Sequence, residues 1–227
     1  MEKYTPSKGI LFNQGSVLGI ENCVPGTFPV RPLNPSRMVK SQTRRVVRLP
    51  SAYPAWTYQH IDQKATKAEK GCAVILRRGD ETRRIRCPYG SPGTVLWIRE
   101  AFGAPPVGID RDEEEPRIPE DVEVIYRAAR QPLPLGWRWL PGKFLPRLHA
   151  RLWIRLEHVR VEPLQNITEE EARLEAPERH TRLLPFMEAE REYFHRKWDE
   201  VNADRGFPWV SNPWVWVLSF RRVGLDP

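Results

Sequence analysis

Residues 150–161, with the sequence ARLWIRLEHVRV, alternate between apolar and polar side chains. Leu152, Ile154 and Leu156 are separated from one another by single residues, and arginines flank them. A period of two residues is typical of a β-strand that buries one face. The phase of the alternation shifts near His158, which indicates a β-bulge. This segment is the clearest strand in the chain, and the other elements are placed around it.

Apolar runs on both sides of this segment predict further strands. They cover residues 9–13, 43–47, 95–99, 122–128 and 213–222. Two more runs, residues 71–78 and 81–86, flank the turn dipeptide Gly79-Asp80 and predict a β-hairpin. The chain is therefore expected to be rich in β-structure.

Two helices are predicted in the last third of the chain. Residues 168–171 read Thr-Glu-Glu-Glu, which fits a capping box and predicts a helix that runs to about Glu175. Within residues 184–202, Phe194, Trp198 and Val201 have the spacing of one helix face.

Strands and helices do not alternate regularly, which argues against a doubly wound parallel sheet. The order favours one domain over residues 1–227, a mostly antiparallel β-barrel with peripheral helices. Two loop insertions are expected in it. Residues 24–36 contain four prolines, and residues 103–120 are acidic and rich in proline.

The composition excludes several classes of protein. Hydrophobic residues make up 40% of the 227 residues, which is enough for a packed core. No apolar run approaches the roughly 20 residues of a membrane helix, and no apolar region of a signal peptide follows Met1. We therefore expect a cytoplasmic protein. The three cysteines and five histidines lack the spacings of disulfide frameworks or metal sites, so neither a metal nor another cofactor is predicted.

The net charge of +7 favours a polyanionic partner, most simply nucleic acid. The 36 basic residues outnumber 29 acidic ones, and arginines occur in clusters. These clusters are Arg44, Arg45 and Arg48; Arg77, Arg78, Arg83, Arg84 and Arg86; Arg147 and Arg151; and Arg221 and Arg222. Any one cluster is as consistent with a solvated strand face as with a binding surface.

Six segments, in order, resemble the ASCH domain family, a part of the PUA-like β-barrel superfamily. The resemblance is strongest to the larger ASCH proteins of bacteriophages and prophages, which implies the cytoplasm of a bacterial or phage-infected cell. The segments are MVKSQTRR (38–45), PYGSPG (88–93), LWIRE (96–100), IYRA (125–128), LPRLHAR (145–151) and NPWVWV (212–217). The chain departs from the family pattern at Met38, Ser41 and Thr94, where that pattern has glycine, threonine and an acidic residue.

Some small ASCH proteins are amidohydrolases that remove the acetyl group from N4-acetylcytidine. The resemblance implies Lys40, Thr43 and Glu100 as the catalytic residues of such a reaction, without a metal. A threonine hydroxyl needs a base before it can attack a carbonyl, and a lysine near other cations can be that base. A carboxyl group can pass a proton to the leaving amine. Lys40 and Thr43 can share a face only on a helical turn, so this mechanism requires a turn at 40–43.

Other readings of these residues remain open. Lys40 can serve as a phosphate contact, Thr43 can satisfy backbone hydrogen bonds, and Glu100 can pair with Arg44 or Arg45. The alternative function is a non-catalytic nucleic-acid-binding module, and the third is a ribonuclease. The oligomeric state stays open. The predicted substrate- or nucleic-acid-binding residues are Arg44, Arg45, Arg99, Tyr126, Arg127, Trp137, Trp139, Arg147 and Arg151.

Among the nine tryptophans, those in predicted strands are expected to lie in the core. These are Trp97, Trp153, Trp214 and Trp216. Trp137 and Trp139 lie instead in a predicted loop beside Arg138, and we expect them to stack on nucleobases.

Overall fold

The computed structural model describes residues 9–12, 14–27, 40–48, 57–62, 73–78, 80–106, 118–119, 121–175 and 189–224. These residues form eleven strands and three α-helices. The strands are β1 Gly9–Leu11, β2 Gln42–Val46, β3 Thr57–Asp62, β4 Ala73–Arg78, β5 Glu81–Arg86, β6 Val95–Arg99, β7 Phe102–Ala104, β8 Ile125–Tyr126, β9 Arg138–Leu140, β10 Trp153–Pro163 and β11 Trp214–Val223. The helices are α1 Gln14–Glu21, α2 Glu169–Glu175 and α3 Glu190–Asn202.

The predicted long strand, β10, is the centre of a five-stranded sheet with the order β1-β6-β10-β11-β2. β10 pairs antiparallel with β11 along almost its whole length and with β6 at its start. The register with β11 shifts between Leu156 and His158, which confirms the predicted bulge. The bulge lets the strand bend while the residues on both sides of it keep burying their apolar side chains.

The two edge strands of this sheet lie close to one another. β1 runs parallel to β6, and β2 runs antiparallel to β11. No strand ladder joins β1 to β2 in the described part of the chain, so the sheet is open there. A single side chain bridges the two edges, because Nη2 of Arg45 in β2 donates a hydrogen bond of 2.5 Å to the carbonyl oxygen of Leu11 in β1. The predicted class, mainly β with peripheral helices, is confirmed.

Two three-stranded sheets accompany the main sheet. β3, β4 and β5 form one, and β4 and β5 are the hairpin predicted around Gly79-Asp80. β8, β7 and β9 form the other. The predicted strand at 122–128 is shorter than expected, since only Ile125 and Tyr126 pair with β7.

The capping box at the start of α2 is confirmed. The hydroxyl of Thr168 accepts a hydrogen bond from the Glu171 backbone N–H at 3.2 Å. The Glu171 carboxylate in turn accepts one from the backbone N–H of Thr168 at 3.3 Å. The last helix, α3, buries Tyr193, Phe194 and Trp198, whereas Val201 is exposed. The predicted apolar face of α3 is therefore wrong at Val201 and extends to Tyr193 instead.

The main sheet has a core on each face. One face packs Leu96, Ile154 and Leu218 against α1 and the other members of one cluster. The opposite face packs Val215 and Val217 against α2 and α3. Among the strand tryptophans, Trp97, Trp153 and Trp216 are buried as predicted, whereas Trp214 is half-buried.

No helix in the described ranges has the length and apolar character needed to cross a lipid bilayer. Most of the two predicted loop insertions, residues 28–36 and 107–117, falls outside the described residues.

Candidate functional site

Arg44 lies in a buried ion cluster on the face of the sheet that α2 and α3 cover. Its side chain has no exposed surface, and its guanidinium contacts the carboxylates of Glu162 at 2.8 Å, Glu171 at 2.7 Å and Glu175 at 3.1 Å. Burial alone would lower the pKa of Arg44, but these three carboxylates together raise it. Protein carboxylates accept hydrogen bonds from both Nη atoms of Arg44, so its role here is structural, and its contact with a ligand stays a prediction.

Lys40 and Thr43 have different surroundings. Lys40 precedes β2 and is buried, and its Nζ donates a hydrogen bond to the backbone carbonyl of Glu175. Thr43 is a β-strand residue paired with Leu218, which belongs to the core cluster that packs against α1. The turn that the predicted mechanism requires at 40–43 is not formed, since residues from Gln42 onward are extended.

Glu100 follows β6 and is 2% exposed. Arg151 binds it with two hydrogen bonds, from Nε at 2.8 Å and from Nη2 at 2.9 Å. Arg151 also contacts Glu21 at the end of α1, and its guanidinium lies 4.5 Å from the Tyr126 ring centroid. Of the two open readings for Glu100, pairing with an arginine is therefore observed, but with Arg151. Burial raises the pKa of Glu100 above 4.5 even though Arg151 lowers it.

Phe12 links the surroundings of Lys40 and Glu100. Its backbone N–H donates to the carbonyl oxygen of Arg99, the residue before Glu100, at 3.2 Å. Lys40 Nζ lies 5.7 Å from the Phe12 ring centroid, and Arg45 lies 5.3 Å from it. Of the three predicted catalytic residues, Lys40 therefore lies beside the Phe12 ring, Glu100 directly follows the residue that Phe12 binds through its backbone, and Thr43 lies in β2 opposite Leu218.

A cleft of about 350 Å³ opens between the edge strands β1 and β2, under the end of α3. We call it the arginine cleft, because five arginines line it and, among the residues that the structure describes, no aspartate or glutamate does. Its polar and charged lining is Arg44, Arg45, Arg48, Tyr89, Arg99, Asn202 and Arg205. Arg44 is neutralised by its three glutamates, which leaves four cationic side chains facing a common space.

Three of these arginines carry a buried donor that no acceptor in the described part of the chain satisfies. The Nε atoms of Arg44, Arg45 and Arg99 are buried and have no hydrogen-bond partner there. The Nη2 atoms of Arg45 and Arg99 donate to backbone carbonyls, that of Leu11 for Arg45 and that of Lys143 for Arg99, each at 2.5 Å. Burial lowers the pKa of the Arg45 guanidinium from its usual value. An unsatisfied buried donor costs free energy unless a ligand or water accepts from it, so the cleft is suited to an anion.

The predicted stacking residues lie at the small sheet of β7, β8 and β9. Trp139 is 37% exposed, and the Arg127 guanidinium lies 5.7 Å from its ring centroid. Trp137 is half-buried, and Arg147 lies 5.8 Å from the buried ring of Trp153. Arg127 and Trp139 therefore offer an aromatic and cationic surface separate from the residues that line the arginine cleft.

Sequence reasoning missed two arginines of the cleft. Arg48 belongs to a basic cluster that is visible in the sequence, but it was not singled out. Arg205 follows α3 and has no local pattern that distinguishes it from a solvated surface residue. Its place beside Arg48 depends on how α3 packs on the sheet, so only the tertiary structure reveals it.

Within the described residues, no three histidine, cysteine, aspartate or glutamate side chains are grouped so that they could hold a metal ion. No protein-family model matches the chain, and neither a curated protein nor a solved structure matches it.

Proposed function

We propose that this protein binds single-stranded RNA, or a nucleoside-bearing ligand of the same charge, in the arginine cleft. One observation carries the proposal, namely that Arg45, Arg48 and Arg99 line one space together with Arg205, and no carboxylate of the described ranges lines it. Like charges held together repel one another, and a phosphate group between them replaces repulsion with charge-assisted hydrogen bonds. Guanidinium groups suit phosphate well, because their planar donors can bind two oxygens at once.

The unsatisfied Nε atoms of Arg45 and Arg99 add to this argument. A backbone carbonyl fixes each of these side chains through Nη2, so each guanidinium is oriented before a ligand arrives. A preorganised donor loses little side-chain entropy when it binds an anion. The net charge of +7 attracts the same class of ligand over longer distances.

The relation to the ASCH and PUA-like proteins belongs to this proposal. The six matching segments support it, and so does the approach of β1 and β2, which brings the sheet close to a barrel. RNA binding in such a cleft agrees with the function that the resemblance implies.

Replacing Arg48 and Arg205 together by glutamine tests the proposal. Each phosphate contact on a single strand contributes about −0.7 to the slope of log K against log salt, so the slope should become shallower by about 1.4. The affinity for a fluorescent hexauridylate at 50 mM salt should fall roughly tenfold. Both quantities are measured by fluorescence anisotropy over a salt series.

The matched control is the double variant Arg173→Gln/Arg196→Gln. It removes the same two charges from exposed positions on α2 and α3 that do not line the cleft. We expect its salt slope to equal that of the wild type. Equal losses in both double variants would mean that only net charge matters, and the cleft would not be the binding site.

A second candidate function is hydrolysis of an N4-acylated cytidine, and the buried carboxyl of Glu100 favours it. Burial raises the pKa of Glu100, which is the direction that a general acid needs. Water would add to the acyl carbonyl carbon, and the carbon–nitrogen bond would break. The leaving amine would take the proton of Glu100, and a proton of the attacking water would restore the carboxyl group, so that acid and cytidine are released.

This reaction is tested with N4-acetylcytidine and chromatography of the products. Glu100→Gln should lower turnover at least about a hundredfold, because glutamine cannot donate a carboxyl proton. Thr43→Ala should retain turnover, since Thr43 is buried in β2 opposite Leu218. Loss of turnover in Thr43→Ala alone would instead support a threonine nucleophile, and no conversion by the wild type would end this candidate.

A further inference from the structure

A second cleft, of about 590 Å³, adjoins the arginine cleft. It is lined by Val47, Arg48, Arg205, Phe207, Ser211, Asn212, Pro213 and Trp214, and we call it the aromatic cleft. Arg48 and Arg205 line both clefts, so the two clefts are neighbours on the surface. A ligand with a phosphate in the first cleft can therefore reach the second with an adjoining group, in contact with the same two arginines.

The walls of the aromatic cleft differ in chemistry from those of the arginine cleft. Phe207 and Trp214 contribute aromatic side chains, and both residues are half-buried. Flat aromatic walls suit a flat ligand, since base–aromatic stacking depends little on which base is present. The volume also falls in the range of pockets that hold small organic groups.

The segment before β11 fixes the polar groups of this cleft. Asn212 has a φ of 43°, a left-handed conformation that is uncommon for residues other than glycine. Its Oδ1 accepts a hydrogen bond of 2.9 Å from the Gln165 backbone N–H, and its own N–H donates to the carbonyl of Trp209 at 2.9 Å. These bonds orient the carboxamide, and no described residue accepts a hydrogen bond from its Nδ2 group.

Ser211 completes the polar edge. Its hydroxyl donates to the Pro208 carbonyl at 2.6 Å, which leaves the oxygen as an acceptor. The cleft thus presents one oriented amide donor and one hydroxyl acceptor beside two aromatic side chains. A nucleobase has the matching features, a flat face and an edge with both acceptors and donors.

We propose that the aromatic cleft takes one unpaired nucleobase of a single-stranded nucleic acid whose adjoining phosphate lies in the arginine cleft. This inference rests on the proposed function. A base in a duplex is stacked and paired, so it cannot enter such a space without being extruded. The arrangement therefore selects single strands over duplexes, while the arginine cleft contributes affinity without reading the sequence.

The test compares two probes that share their phosphates, hexauridylate and an abasic hexamer of the same backbone. We expect the wild type to bind hexauridylate about tenfold more tightly than the abasic probe. Phe207→Leu should remove most of this difference and leave the salt slope unchanged. Asn212→Gly should reduce the difference as well, because glycine adopts the same φ without strain but lacks the carboxamide.

The matched control is Phe144→Leu, which makes the same change at another half-buried ring that lines neither cleft. It should leave the tenfold difference intact. Loss of the difference in Phe144→Leu but not in Phe207→Leu would overturn the inference, and so would equal binding of the two probes or of a duplex. In those cases the salt slope can still support the proposed function. Failure of both probes to bind would instead overturn the proposed function itself.

Discussion

Replacing Arg44 by methionine is expected to lower the free energy of unfolding by about 3–5 kcal/mol. The side chain has no exposed surface, and three carboxylates surround its guanidinium. Methionine fills a similar volume but leaves those negative charges partly buried and close together without a cation. Breaking a buried ion pair from one side costs this much, because the remaining charges lose their partner but not their burial. Denaturant unfolding at pH 7 measures the loss.

Arg196→Met provides the control. Arg196 pairs with Glu200 one turn further along α3, and both side chains are about half exposed. Such exposed pairs contribute little, so we expect a change below about 0.5 kcal/mol. A similarly small loss in Arg44→Met would mean that the carboxylates are solvated or protonated in solution, and that the cluster does not stabilise the fold.

The Arg44 cluster also positions the proposed binding site. It ties β2 to Glu162 of β10 and to Glu171 and Glu175 of α2. Arg45, the next residue, points to the other face of β2 and reaches across to β1. Loss of the cluster is therefore expected to loosen the edge of the arginine cleft that β2 forms.

Local patterns were sufficient to predict much of the fold. β10 and its bulge follow from the alternation of apolar residues, and the start of α2 follows from its capping box, because both patterns reflect contacts within a few residues. Val201 was assigned to the wrong face of α3, since helical spacing alone does not determine which of two neighbouring faces meets the sheet. The short strands β7 and β9 were missed because they carry too few residues to show a period.

The site was harder to predict for a different reason. Arg44 and Arg45 are the same residue type at adjacent positions, yet one is neutralised by glutamates and the other is aimed at an open cleft. Their opposite directions follow from the alternation of the strand predicted at 43–47, but the sequence did not show which of the two faces carries the glutamates. Arg205 joins them only because α3 packs over the edges of the sheet.

Replacing Arg151 by methionine is expected to destabilise the protein by about 2–3 kcal/mol at pH 8. Glu100 is buried, and Arg151 donates two hydrogen bonds to its carboxylate. Without Arg151, the ionised carboxylate loses both bonds and the nearest positive charge. The estimate lies below that for Arg44, because the Arg151 side chain is 29% exposed and water can replace part of its contribution.

The decrease in the free energy of unfolding caused by Arg151→Met should become smaller as the pH falls. The folded-state pKa of Glu100 is already above 4.5 because of burial, and removing Arg151 takes away the groups that lower it, so this pKa rises further. Below the new folded pKa, the folded protein binds a proton that the unfolded chain does not bind until about pH 4.5. Stability therefore increases as the pH falls through this window. Unfolding curves for the variant and the wild type at pH 8 and pH 5 measure the effect.

The double variant Arg151→Met/Glu100→Gln should recover stability at pH 8 and lose the pH dependence, because glutamine does not ionise. If the double variant is as unstable as Arg151→Met at both pH values, the loss comes from packing and not from the buried charge.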